Sequence, residues 1–159
     1  MTGSVQPFVV LTEEGETVRG PAGGPATFKA RAKETNGTLT ALESVIAPGE
    51  APPLHVHIRE DEMYYVIVGG LHFLAGGRRF DAPTGSFTFI PRGTEHCFRN
   101  MGEEPARLLV LFTPSGMERF FEDFAKLPPG PPSLQAFRDA GYGAWMEVVG
   151  PPLAQLDAR

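Results

Sequence analysis

His55, His57, Glu62 and the distant His96 are the side chains of this chain whose types and spacing could do chemistry. They fall in two segments, Gly49 to Gly69 and Gly85 to Asn100, which hold three of the protein's four histidines. Residues i and i+2 of a β-strand point to one face, so His55 and His57 can share one ion. The β-branched and aromatic run from Glu62 to Val68 predicts a returning strand, with Glu62, Tyr64, Val66 and Val68 on one face. His96 lies beyond a turn at Pro91, Arg92 and Gly93 that ends the apolar run Ser86 to Ile90, and it shares a face with Phe98 and Asn100. Imidazole with one carboxylate suits one divalent transition metal ion (Fe, Mn, Ni, Co, Cu or Zn), whereas Ca and Mg favour oxygen shells.

The neighbouring polar residues are assigned lesser roles. Glu60 and Asp61 are expected to be turn residues facing solvent, although a turn one residue shorter would put one of them in the place of Glu62. His72 alternates against Leu71 and Phe73 and is expected to point outward or to stand behind the ligands. Cys97 adjoins His96 but points to the opposite strand face, which predicts a buried small side chain rather than a catalytic thiol.

Many short strands must position these residues. Segments 8–11, 26–33 and 38–47 read as early strands, with a hairpin-turn signal at Thr35, Asn36 and Gly37. Gly76 and Gly77 turn the chain into a strand over 78–81, and 107–113 makes a buried last strand. After Thr113 the periodicity becomes helical. Ser115 and Glu118 form a capping-box signature, and Met117, Phe120, Phe121, Phe124 and Leu127 recur on one helix face. That stripe is expected to pack against the outside of the strand scaffold, with a lid on its mouth as the alternative. Prolines over 128–132 then lead to a second helix over 133–140.

Composition narrows the alternatives. A chain of 159 residues, 42% hydrophobic, can bury one core but not two. A single domain over 1–159 follows, with strands over 1–113 and a helical C-terminal extension over 114–159 packed on them. A net charge of −5 and no cluster of Lys or Arg exclude a nucleic-acid surface. No segment reads as a membrane span or secretory signal, so a cytoplasmic location is expected. One cysteine excludes an internal disulfide. An open-edged barrel with an extra N-terminal strand can pair edges, and a homodimer is expected.

The two segments resemble the paired motifs of the cupins. The first, a glycine, an HxH pair, a glutamate and a closing glycine, is met by Gly49, His55, His57, Glu62 and Gly69. The second is met by Gly85, Pro91, Gly93, His96 and Asn100 without a gap. The resemblance implies an all-β fold, a double-stranded β-helix or jelly-roll barrel with short C-terminal helices and the metal inside. Segments 52–57, 59–66, 85–93 and 113–121 are similar to single-domain bacterial quercetinases. That similarity implies dioxygenation of a flavonol, with His55, His57, Glu62 and His96 holding the ion and Glu62 taking the flavonol hydroxyl proton. The substrates would be O2 and an aromatic or enolic molecule, in a pocket lined by Tyr64, Val66, Phe87, Phe89 and Phe98. Desolvation should raise the Glu62 pKa while the cation opposes it. Two rival readings are a non-oxidative cyclase or isomerase using the ion as Lewis acid, and a small-molecule-binding cupin without turnover.

Overall fold

The computed structural model describes residues 4–158. Its strands are β1 (Thr17–Arg19), β2 (Gly23–Ala30), β3 (Thr40–Ile46), β4 (Pro53–His57), β5 (Asp61–Val68), β6 (Gly70–Ala75), β7 (Arg78–Pro83), β8 (Phe87–Ile90), β9 (His96–Arg99), β10 (Ala106–Thr113) and β11 (Met146–Pro152). The helices are α1 (Ala32–Thr35), α2 (Glu118–Ala125), α3 (Leu134–Tyr142) and α4 (Leu153–Asp157). Two antiparallel sheets result, one ordered β1-β2-β3-β10-β5-β8 and the other β11-β4-β9-β6-β7.

Alternation decides what each strand buries. On β10, Ala106, Leu108, Val110 and Phe112 point inward, and on β6 Leu71, Phe73 and Ala75 do so. On β5 the buried phase is Glu62, Tyr64 and Val66. Val68 leaves that phase, because a register shift between Arg107 and Leu108 in the β10–β5 ladder turns it to solvent. Opposite the shift, Gly69 has φ 86°, and a Cβ there would lie 3.0 Å from Ala106 Cβ.

The two metal-ligand segments are stitched together by backbone bonds. Gly93 N–H donates to His57 O at 2.8 Å, and Gly49 N–H donates to Asn100 O at 2.9 Å. The buried Asn100 amide donates to Ile46 O and Glu104 O and accepts from Gly102 N–H. The last residue of the second motif is therefore a clamp on the barrel's end.

Several expected elements differ. Segment 8–11 forms no strand; Phe8, Val9 and Leu11 are exposed with no ladder partner among the described residues. The early strand over 26–33 ends at Ala30, and Ala32–Thr35 makes a helical turn capped by Asn36 at φ 51°. The turn signal at Asn36 and Gly37 thus closes that helix before β3 rather than a tight hairpin. The capping box at Ser115 does not form. The Glu118 carboxylate instead accepts from Gly116 N–H, Ala32 N–H and Thr40 Oγ1, tying α2 to the β2–β3 connection. The C-terminal extension is not purely helical, because β11 pairs with β4 and completes the second sheet. Among the described residues no helix is long and apolar enough to cross a membrane.

Candidate metal centre

The four expected ligands meet in the barrel. His55 and His57 come from β4, Glu62 from the start of β5 and His96 from the start of β9. All four are buried, and one ligand atom from each lies within 4.8 Å of the others. His55 and His96 are register partners across β4 and β9, which fixes how near the third histidine comes to the first two. Local bonds aim the rings: His55 Nδ1–H donates to Pro53 O at 2.8 Å, and His96 Nδ1–H to Thr94 O at 2.9 Å. Each ring is left with Nε2 as its free donor atom.

Around Glu62 the lone pairs converge. Its Oε2 lies 2.8 Å from His96 Nε2 and 2.9 Å from His57 Nε2, the latter without hydrogen-bond alignment. A carboxylate oxygen this near two imidazole nitrogens needs protons or a cation between them. Three imidazoles and a carboxylate with few other polar neighbours fit a divalent transition ion.

Burial alone would push Glu62 up, but the adjacent His57 charge and the hydrogen bond from His96 hold its carboxyl well below the usual range. Burial acts upward, as expected, and neighbouring positive charge outweighs it. Burial, followed by the charges of His96 and His57, holds His55 well below its ordinary pKa, so its ring is neutral and competent as a ligand. Burial and the adjacent Glu62 push the Tyr64 phenol well above its ordinary value. It stays protonated.

A cavity of about 60 Å³ adjoins the cluster. That is room for a few waters, against the several hundred Å³ of an ordinary ligand pocket. Tyr64 and Phe98 line it beside His55, His57 and Glu62, as expected. Val66 is buried in the core and not among the lining residues. Phe87 and Phe89 are 61% and 52% exposed and face away from it. Tyr64 pairs with Thr88, so Thr88 and Ile90 take the inward phase of β8 and the two aromatic rings take the outer one.

The residues missed by sequence reasoning come from the tail. Met117, Phe120 and Phe121 around α2, Phe137 of α3 and Met146 of β11 wall the cavity. The helical stripe therefore closes the interior rather than covering the barrel's outside. Arg19 fastens the end of α2, its guanidinium donating to the carbonyls of Phe124, Leu127 and Pro128.

The remaining polar residues separate cleanly. Glu60 is 1% exposed, contrary to its expected place in solvent. Asp61 bonds the Arg92 backbone and guanidinium, pinning the second motif's turn to β5. His72 is outside the cluster, its Nδ1 2.6 Å from Asp81 Oδ1. The Cys97 thiol is buried on the other face of β9, and burial pushes it up to about 11.

Residues 42–112 match the family model described as the Cupin domain. The chain is 32% identical over 80 residues to the tetracenomycin polyketide synthase protein TcmJ of Streptomyces glaucescens, covering 50% of this chain and 52% of that protein. It is 32% identical over 71 residues to polyketide synthase CurC of Streptomyces cyaneus, covering 45% of this chain and 46% of that protein. The chain spans about half the length of these curated relatives. Among solved structures, an RmlC-like cupin from Shewanella frigidimarina NCIMB 400 is similar with a TM-score of 0.61 at 19% identity, over 71% of this chain and 96% of that one.

Proposed function

On the premise of a cupin barrel with this cluster inside, we propose that the protein is a metal-dependent enzyme for a flat enolic or phenolic substrate, acting as a flavonol-type dioxygenase. The observation that carries the reading is Glu62, which with His55 and His57 belongs both to the cluster and to the wall of a largely apolar cavity. A divalent transition ion on His55, His57, Glu62 and His96 would supply Lewis acidity and, if redox-active, a route to O2. The protein's own residues do the rest. The Glu62 carboxylate would take the proton of the substrate hydroxyl. Tyr64 keeps its proton beside Glu62 and offers the incoming oxygen a hydrogen bond. Phe98, Phe112 and Phe121 supply apolar walls for a ring system. A flavonol exceeds about 60 Å³ several times over, so Met117, Phe120 and Phe121 must withdraw for it to enter.

The test is oxygen uptake with quercetin, using protein stripped and reloaded separately with Fe, Mn, Co, Ni, Cu or Zn. Uptake with a redox-capable ion that disappears on stripping supports the dioxygenase. A second reading, non-oxidative cyclisation or isomerisation of a polyketide-type substrate, is favoured by the likeness to TcmJ and CurC over half of the chain. Turnover of such a substrate with Zn under argon would select it. Tight metal binding with neither activity would leave a binding protein.

The partner we infer is a second copy of this chain. Val5 to Val10 form no helix or strand and have no backbone partner among the described residues, and Lys29 Nζ anchors the root of this arm by donating to Leu11 O, Thr12 O and Glu14 O. β8 is an open sheet edge carrying the exposed Phe87 and Phe89. An arm from another copy satisfies both. Light scattering should give twice the chain mass, and deletion of residues 1–10 should give the monomer; a monomeric intact chain at high concentration would refute the assignment.

A further inference from the structure

Glu60 is a buried carboxylate for which neither the metal cluster nor the proposed chemistry has a use. Among the described residues, three buried side-chain atoms have no hydrogen-bond partner: His57 Nδ1, His57 Nε2 and Glu60 Oε2. Nε2 is accounted for, since it faces Glu62 inside the cluster. The other two atoms are a donor site and an acceptor on residues three positions apart, at the turn from β4 into β5. Buried polar groups are rarely left unpaired, because each has given up its water without gaining a partner.

Other partners for Glu60 are taken or unsuitable. The Arg92 guanidinium is committed to Asp61 at 3.1 Å, and the Arg59 guanidinium lies over the Trp145 ring, 5.4 Å from its centroid. Gly116 passes over Glu60 as bare backbone, and a Cβ there would lie 3.3 Å from Oε1. The contrast with the other two histidines completes the argument. His55 and His96 are each locked by a backbone carbonyl on Nδ1, and His57 has no such carbonyl.

We propose that Glu60 is the positioning residue of His57, accepting the hydrogen bond of Nδ1–H through one buried water and so presenting Nε2 to the ion. A carboxylate behind a ligating imidazole fixes its tautomer and orientation, and its loss weakens metal binding about 10- to 100-fold. Glu60 thus does from a side chain what Pro53 O and Thr94 O do from the backbone.

The proposal rests on reading the four-residue cluster as a metal site, and the test separates the two. In metal-free protein labelled with 15N-histidine, long-range 1H–15N spectra should show a proton on His57 Nδ1; an unprotonated Nδ1 overturns the role of Glu60. Zn2+ affinity is then measured against a chromophoric chelator, with thermal midpoints in parallel. Glu60→Leu should lose about 10- to 100-fold in affinity and change the His57 15N shifts. Glu60→Gln, which keeps an acceptor oxygen, should fall between the two. A Leu variant that lowers only the midpoint, with wild-type affinity and tautomer, shows a merely structural carboxylate and overturns the proposal. Should the Leu variant not fold, the wild-type tautomer and the Gln variant decide. Wild-type protein that binds no Zn2+ would instead defeat the metal-site reading.

Discussion

His55 and His96 stand opposite each other on neighbouring antiparallel strands, with ring centroids 4.3 Å apart. Their spacing is therefore a property of the β4–β9 ladder and not of a flexible loop, which preorganises two of the four ligands before any ion arrives.

Replacing His55 and His57 together by Ala should abolish stoichiometric metal binding while leaving the far-UV circular dichroism unchanged. Elemental analysis after dialysis checks this. Retained stoichiometric metal would place the site elsewhere.

Glu62→Gln should separate binding from chemistry. The amide still offers an oxygen, so part of the metal affinity survives, but the proton acceptor is gone and kcat should fall about 10²- to 10⁴-fold. The comparison is made at equal metal content; an undiminished kcat assigns the base to another group.

Stability of the metal-free protein should depend on pH with a fixed sign. The folded His55 has its pKa held well below the ordinary 6.5. As pH falls through about 6.5, the unfolded chain takes up a proton that the native chain refuses, so unfolding becomes easier by up to about 1.4 kcal/mol per pH unit. Glu62 adds a loss of the same sign below its ordinary 4.5, because its native carboxyl is held low. Neither group contributes a slope above about pH 7. Urea midpoints should be level between about pH 7 and pH 8 and decline on acidification; a midpoint unchanged down to about pH 5 contradicts the burial of a neutral His55.

Phe120→Ala should enlarge the cavity and destabilise the fold by about 3–5 kcal/mol, the usual cost of emptying a buried aromatic site. If α2 is the barrier to entry, the variant binds bulky ring systems faster than the wild type while its metal affinity stays constant. Stopped-flow fluorescence quenching with a flavonol reads this directly.

The ligand set was legible because each histidine and glutamate sits in a strand whose alternation survives folding. The pocket was less so. Phe87 and Phe89 looked like lining residues because aromatic side chains usually face inward, and only the pairing of Tyr64 with Thr88 reveals their phase. Glu60 looked solvated because acidic turns usually are, and its burial depends on the loop at Gly116, far along the chain. The helical periodicity of Phe120, Phe121 and Phe124 was plain, but periodicity says that a face is covered and not what it covers. β11 went unread because its short run ends in Gly150 and two prolines, and its strand character comes from pairing with β4.

The pairing of Met146 with His57 and Val148 with His55 also sets an order of events during synthesis. β4 leaves the ribosome with its histidine ladder bare on one edge, and its cover arrives only after most of the chain has been made. Through that interval the strand that carries both histidines has an unpaired backbone edge, which β11 alone fills among the described residues.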